Sequence, residues 1–247
     1  MFPSTHWTQL AQATLTGDPA GRDALARLCE KYRPPVIAFL HARGVPRAEA
    51  DDLAQELFQR LLTSRAWKRA DPSRGKFRTF LLGILQHIMC SQWARGQAQK
   101  NGGGRPALSL EMLEDDSAWE PAAQTVEPSL EFDRAWALRT LRAAFQRVEA
   151  RWTTAGRARE FDVYRRFLPG SQSQPDYAAV AVQLGVNEGA ARTAVSRLRA
   201  ELGEALRQEI GLTVAAPGDV ESEMAYLRNV LASPGVDMAS AVEPTQG

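Results

Sequence analysis

Apolar residues recur at three- and four-residue steps through most of this 247-residue chain, and no period-two alternation is sustained. That spacing lines apolar side chains along one face of a helix, whereas a half-buried strand needs strict alternation. An all-α fold is predicted. Leu25, Leu28 and Tyr32 begin the first helix, and the adjacent Pro34 and Pro35 are expected to kink or divide it, because proline lacks a backbone donor and crowds the preceding turn. After GVPR, a second helix carries Leu53, Leu57, Phe58, Leu61 and Leu62 on one side and Asp51, Asp52 and Glu56 on the other. A loop, ADPSRGK, leads into a long helix striped with Phe77, Phe80, Leu81, Ile84, Leu85 and Ile88. These helices close one unit over residues 1–100.

The stretch NGGGRPALSLEMLEDDSAWEPAAQTVEPS changes character. Glycines 102–104 break a helix, Pro106, Pro121 and Pro128 interrupt one, and acids dominate. It reads as an acidic linker over residues 101–133. Its glycines are no phosphate cradle, since no strand precedes them and no Gly-Lys-Ser/Thr follows. Helix resumes at Arg134, with Leu138, Leu141, Phe145, Val148 and Trp152 as a core-facing stripe. A further helix around Phe161 to Leu168 ends at Pro169-Gly170, and a long one reaches about Ile210, completing a domain over 134–211. In the extension 212–247, Asp219 is expected to cap a helix bearing Val220, Met224, Leu227 and Leu231, with a disordered tail after Ser233. The predicted architecture is two small helical domains joined by an acidic linker.

Lys and Arg total 30 against 29 Asp and Glu, a net charge of +1 that carries no nucleic-acid signal by itself. The distribution does. Residues 65–100 hold eight basic side chains against Asp71 alone, while residues 110–133 hold eight acids and no Lys or Arg. No run of eighteen apolar residues occurs, so no membrane span is expected. MFPSTHWTQL lacks the basic start and apolar stretch of a signal peptide. Cys29 and Cys90 stand too far apart for a CxxC site or a disulfide framework, which fits a reducing cytoplasm. His6, His41 and His87 are scattered without metal-ligand spacing. No metal, cofactor or enzymatic activity is expected.

YAAVAVQLGVNEGAARTAVSRLRA, residues 177–200, has the parts of a helix-turn-helix. Tyr177, Val180, Ala181 and Leu184 face inward on the first helix, Gly185 supplies a positive-φ turn, and Asn187 caps the second. Ala191, Ala194, Val195 and Leu198 form the second helix's buried side, small enough for close approach. The other side presents Arg192, Thr193, Ser196, Arg197 and Arg199, with no acid between Gly189 and Ala200. Such a helix enters the major groove, where arginine bonds guanine or a phosphate and Ser or Thr suits either target.

In order and separation, EADDLAQELFQRLL, GKFRTFLLGILQHIMCSQWARGQ and YAAVAVQLGVNEGAARTAVSRLR resemble bacterial RNA polymerase sigma factors. The group is the extracytoplasmic-function (ECF) branch of the sigma-70 family, and the resemblance covers most of residues 20–210. It implies an alternative sigma factor that binds core RNA polymerase and directs promoter recognition, melting and initiation. Residues 1–100 would correspond to region 2, with Asp51, Asp52 and Glu56, beside Leu57 and Phe58, docking on the β′ clamp. Lys76, Arg78, Gln86, His87, Trp93 and Arg95 would open and hold the minus-10 element of promoter DNA. Residues 134–211 would correspond to region 4, meeting the β flap and gripping the minus-35 element through Arg192, Thr193, Ser196, Arg197 and Arg199.

The chain departs from the family where many relatives end the minus-10 helix in consecutive arginines and this one reads WARGQAQK. Strand capture is expected to be weaker, and Trp93 reads equally as core. The linker would pass through the active-site cleft and RNA exit path, either mimicking nucleic acid or serving as a tether. NGGGRPALSLE and the C-terminal extension look like one subset of the group. An anti-sigma factor, a kinase, or the C-terminal helix itself are candidate controls. The alternative is a stand-alone helix-turn-helix regulator, which would leave the acidic helix and basic block without tasks.

Overall fold

The computed structural model describes residues 19–63, 77–100, 130–171, 176–214 and 218–239. Among these residues all regular structure is helical, as the apolar spacing predicts. The chain divides into two compact units, residues 1–133 with 213–215 and residues 134–212 with 216–247.

The first unit contains α1 (Pro19–Ala42), α2 (Arg47–Thr63), α3 (Phe77–Lys100) and the first turn of α4 (Leu130–Thr154). Of the two outcomes expected at Pro34 and Pro35, a kink or a division, the second does not occur, since α1 runs through both prolines. Each proline lacks the N–H that would bond four residues back, at about 3 kcal/mol in a helix interior. Tyr32, Val36, Phe39 and Leu40 flank the pair and are at most 1% exposed. Burying four such side chains contributes about 1.5–3 kcal/mol apiece, so packing prevails over propensity.

Tyr32 is the hub of this core. Its ring meets Phe77 edge-on at 5.0 Å and lies near-parallel to Phe132 at 6.4 Å. Phe132 belongs to the stretch read as linker, and α4 accordingly starts at Leu130 rather than Arg134, because Phe132 and Asp133 are buried.

Arg78 was expected to face DNA; the structure encloses it instead. Its Nε lies 3.5 Å from Asp133 Oδ1, with the two side chains 6% and 3% exposed. An enclosed guanidinium opposite an enclosed carboxylate is a structural pair, and removing one partner strands the other charge in a poor solvent. Asp133→Leu is therefore expected to lower unfolding free energy by about 3–5 kcal/mol, and the double variant Arg78→Met/Asp133→Leu to recover most of it. Urea denaturation of the three proteins checks this; an unchanged midpoint for Asp133→Leu would refute it.

The second unit comprises the rest of α4, α5 (Ala158–Tyr164), a 3₁₀ turn (Arg165–Phe167), α6 (Tyr177–Leu184), α7 (Glu188–Gly211) and α8 (Asp219–Leu231). Trp152 near the end of α4 joins three of them. Its ring packs 6.2 Å from both Phe161 and Tyr164, and its Nε1–H donates to Glu201 Oε2 on α7 at 2.9 Å. The Arg157 guanidinium covers the ring at 4.1 Å while binding Glu160. An indole buried with its N–H satisfied adds apolar area without a desolvated donor.

The C-terminal helix belongs to this unit. Met224 and Leu227 are buried, and Glu221 accepts a 2.7 Å bond from Arg207 of α7. Gly218 rather than Asp219 holds the cap position; Asp219 is the first residue of α8 and, with Glu221, lies at the positive end of its dipole. After Ser233 the chain continues through turns to Ala239, and Arg134 donates to the Pro234 carbonyl. The remainder of the expected disordered tail lies outside the described residues.

Candidate nucleic-acid interface

The helix-turn-helix forms as its sequence dictates. Asp176 Oδ1 caps α6 by accepting from Ala178 N at 3.0 Å. The helix stops at Gly185, whose φ of 67° is the left-handed conformation open to glycine. There Gly185 N bonds Val182 O and Val186 N bonds Ala181 O, satisfying carbonyls of the last turn. Two residues later Asn187 Oδ1 accepts from Ala190 N at 2.7 Å and α7 begins. Val180, Ala181, Ala191, Val195 and Leu198 bury the facing sides as expected, while Tyr177, Leu184 and Ala194 remain half-buried.

The five side chains predicted to read DNA share the outer side of α7 but are held differently. Ser196 and Arg197 are exposed. Arg192 donates through Nε to Glu188 Oε1 at 3.0 Å and lies over the Tyr177 ring at 4.4 Å. Tyr177 in turn stacks on Phe167 at 4.3 Å, making a three-layer stack from the 3₁₀ turn to α7. Thr193 Oγ1 donates back to Gly189 O at 2.9 Å. Arg199 reaches the other way, donating to the Phe167 carbonyl from Nη2 at 3.0 Å and Nε at 3.3 Å. It fastens α7 to the 3₁₀ turn.

In the first unit the acids of α2 lie on an accessible face. Asp51 pairs with Arg33 of α1 at 2.7 Å, both about half exposed, and Asp52 is exposed. Such a pair contributes roughly 0–1 kcal/mol, leaving the carboxylate available to a stronger partner. Glu56 binds Arg60 and accepts from Gln92 Nε2 of α3 at 2.9 Å. Leu57 and Phe58, expected at the docking surface, are 0% and 8% exposed. They are core residues, because the apolar side of α2 is consumed in packing against its own unit.

On α3, Gln86 and His87 are half-buried and Arg78 is enclosed as described. Lys76 and the side chains of Trp93 and Arg95 lie outside the described residues. Burial, and then the nearby Arg60 charge, hold the His87 pKa below its ordinary value. Burial likewise pushes the Cys29 thiol up to about 12, which leaves it unreactive.

The reading from sequence missed Arg60, Gln92, Tyr177 and Glu188 as positioning groups. Spacing of four residues signals the Glu56–Arg60 and Glu188–Arg192 pairs. Gln92 is 36 residues from Glu56, and no local signal joins them. Val182 and Val186, 84% and 40% exposed beside the turn, were equally unmarked.

Residues 28–99 match the family model for sigma-70 region 2. The match spans most of α1, all of α2 and all but the last residue of α3, and covers less than a third of the chain. No curated protein and no solved structure matches. Among the described residues no helix is long and apolar enough to cross a membrane.

The depressed His87 pKa carries a sign. Above 6.5 the folded and unfolded chains both hold neutral His87; as pH falls below 6.5 the unfolded chain takes the proton first. Stability is thus lost on acidification, and His87→Gln is expected to flatten that part of the stability profile. Thermal unfolding from about pH 7.5 to about pH 5.5 checks it, since the range brackets the ordinary histidine pKa. A steeper loss in the variant would show that the sign is wrong.

Proposed function

We propose that this chain is an alternative sigma factor of the ECF type, a non-enzymatic cytoplasmic specificity subunit that docks on core RNA polymerase and directs it to promoters. One observation carries this reading. A span matching sigma-70 region 2 precedes, in the same chain, a separate unit with a capped helix-turn-helix. The acidic face of α2 meets the basic β′ clamp through Asp51, Asp52 and Glu56, where complementary charge steers encounter and sets orientation. α3 and the basic segment before it hold the melted minus-10 strand, with cationic side chains tracking phosphates. α7 lies in the major groove of the minus-35 element. There Ser196 and Arg197 are the base-reading side chains, and Arg192 arrives pre-oriented by Glu188 and Tyr177. An anti-sigma factor or a kinase would control availability. A stand-alone regulator accounts for α6 and α7 but leaves the region 2 match without a task.

Run-off transcription with core enzyme on genomic fragments tests the proposal. Discrete transcripts are expected only when this protein is added; specific DNA binding without polymerase, and no transcripts with it, would favour the regulator. At a promoter mapped this way, Arg197→Ala is expected to weaken minus-35 use by about 1–3 kcal/mol, the worth of a bidentate base contact. Heparin-resistant complex formation on paired promoters with and without the minus-35 element measures it, and equal loss on both would refute base reading. Reversing both Asp51 and Asp52 to Lys is expected to abolish most core polymerase capture while leaving the melting temperature nearly unchanged, since surface substitutions usually stay within about 0.5 kcal/mol. Undiminished capture would contradict the docking assignment.

A further inference from the structure

Among the described residues of the second unit, α4, the 3₁₀ turn and the residues after it, α7 and α8 line a groove of about 660 Å³. Its walls are apolar, with Leu141, Leu202, Leu206, Met224, Leu227 and Met238 among them. Two cations, Arg199 and Arg228, also line it, and both are solvent-exposed, so they stand at its mouth. No carboxylate lies among the lining residues. The size falls in the range of small-molecule sites, roughly 300–1,000 Å³. Methionines on two sides allow the walls to adapt to a flexible chain.

We propose that this groove binds a single-chain anionic amphiphile, a fatty carboxylate, with its alkyl chain against the leucines and methionines and its head at Arg228 and Arg199. The pairing follows from charge. An apolar slot whose lining residues include two arginines and no carboxylate favours a ligand with one negative head on a hydrocarbon tail. Arg199 spends Nε and one Nη on the Phe167 carbonyl, and a guanidinium has further N–H donors to offer the head. Because Leu202 and Leu206 belong to α7, an occupant would touch the back of the recognition helix. The inference stands on the second unit alone and does not depend on the promoter reading.

Isothermal titration of the full-length protein with decanoate, laurate and myristate, each below its micelle concentration, tests the proposal. Saturable one-to-one binding is expected, tightening about fourfold per added methylene, the equivalent of about 0.8 kcal/mol. Dodecanol, with the same tail as laurate and no charge, is expected to bind at least about tenfold more weakly, as is laurate to the Arg228→Glu protein. Arg228 is exposed, so that variant should fold as the parent does, which its melting temperature confirms. Laurate binding insensitive to Arg228→Glu, or matched by dodecanol, would overturn the proposal. So would the absence of saturable binding up to about 1 mM; sedimentation at the same protein concentration then shows whether a second copy covers the groove instead.

Discussion

Rotation of α7 about its own axis governs what this protein can show to a nucleic acid. Ala191, Val195, Leu198, Leu202, Ala205 and Ile210 are buried on one side of that helix, and no other rotation buries all of them. Once that side is committed, Arg192, Ser196 and Arg197 point outward by the helical repeat alone. Trp152 completes the constraint by donating to Glu201 at the border of the buried stripe. Core packing and polar presentation are thus one decision, and a cavity in the core would misdirect the outer face before it unfolded the unit.

The arginines of this chain divide according to what surrounds them. Arg78 is enclosed opposite Asp133, Arg199 caps the 3₁₀ turn, and Arg192 is braced by an acid and an aromatic ring, while Arg197 is exposed. A guanidinium has five donors and a long apolar stem, so the same residue type can clamp a carbonyl, pair in a core or stay solvated. Counting basic residues along the sequence adds these roles together as though they were one charge. Only the pattern of partners separates structural cations from those open to a polyanion.

Two surfaces on separate units suit a protein whose affinity is divided between partners. An acidic face on α2 favours a basic protein surface, and an acid-free stretch of α7 favours DNA. Neither alone needs high affinity if both are engaged on one assembly, because the second contact is then intramolecular. The placement of α8 in the second unit adds a further possibility for control, since its apolar side helps form the groove behind α7.

Helical fold, the Asn187 cap of α7, the positive φ at Gly185 and the acidic side of α2 were all legible from the amino-acid order. Each is set by neighbours within a few residues, through backbone sterics, side-chain capping or the helical repeat. The undivided α1, the enclosure of Arg78 and the withdrawal of Leu57 and Phe58 from the surface were not. Pro34 and Pro35 signal a break locally, and only the burial of Tyr32, Val36, Phe39 and Leu40 overrides them. Arg78 meets an acid 55 positions away, in a stretch whose composition reads as linker, and Gln92 meets Glu56 across two helices. Short-range order therefore determined which elements form and which residue types face outward. Tertiary packing decided which charges remain there, because burial and ion pairing are properties of residues brought together from distant parts of the chain.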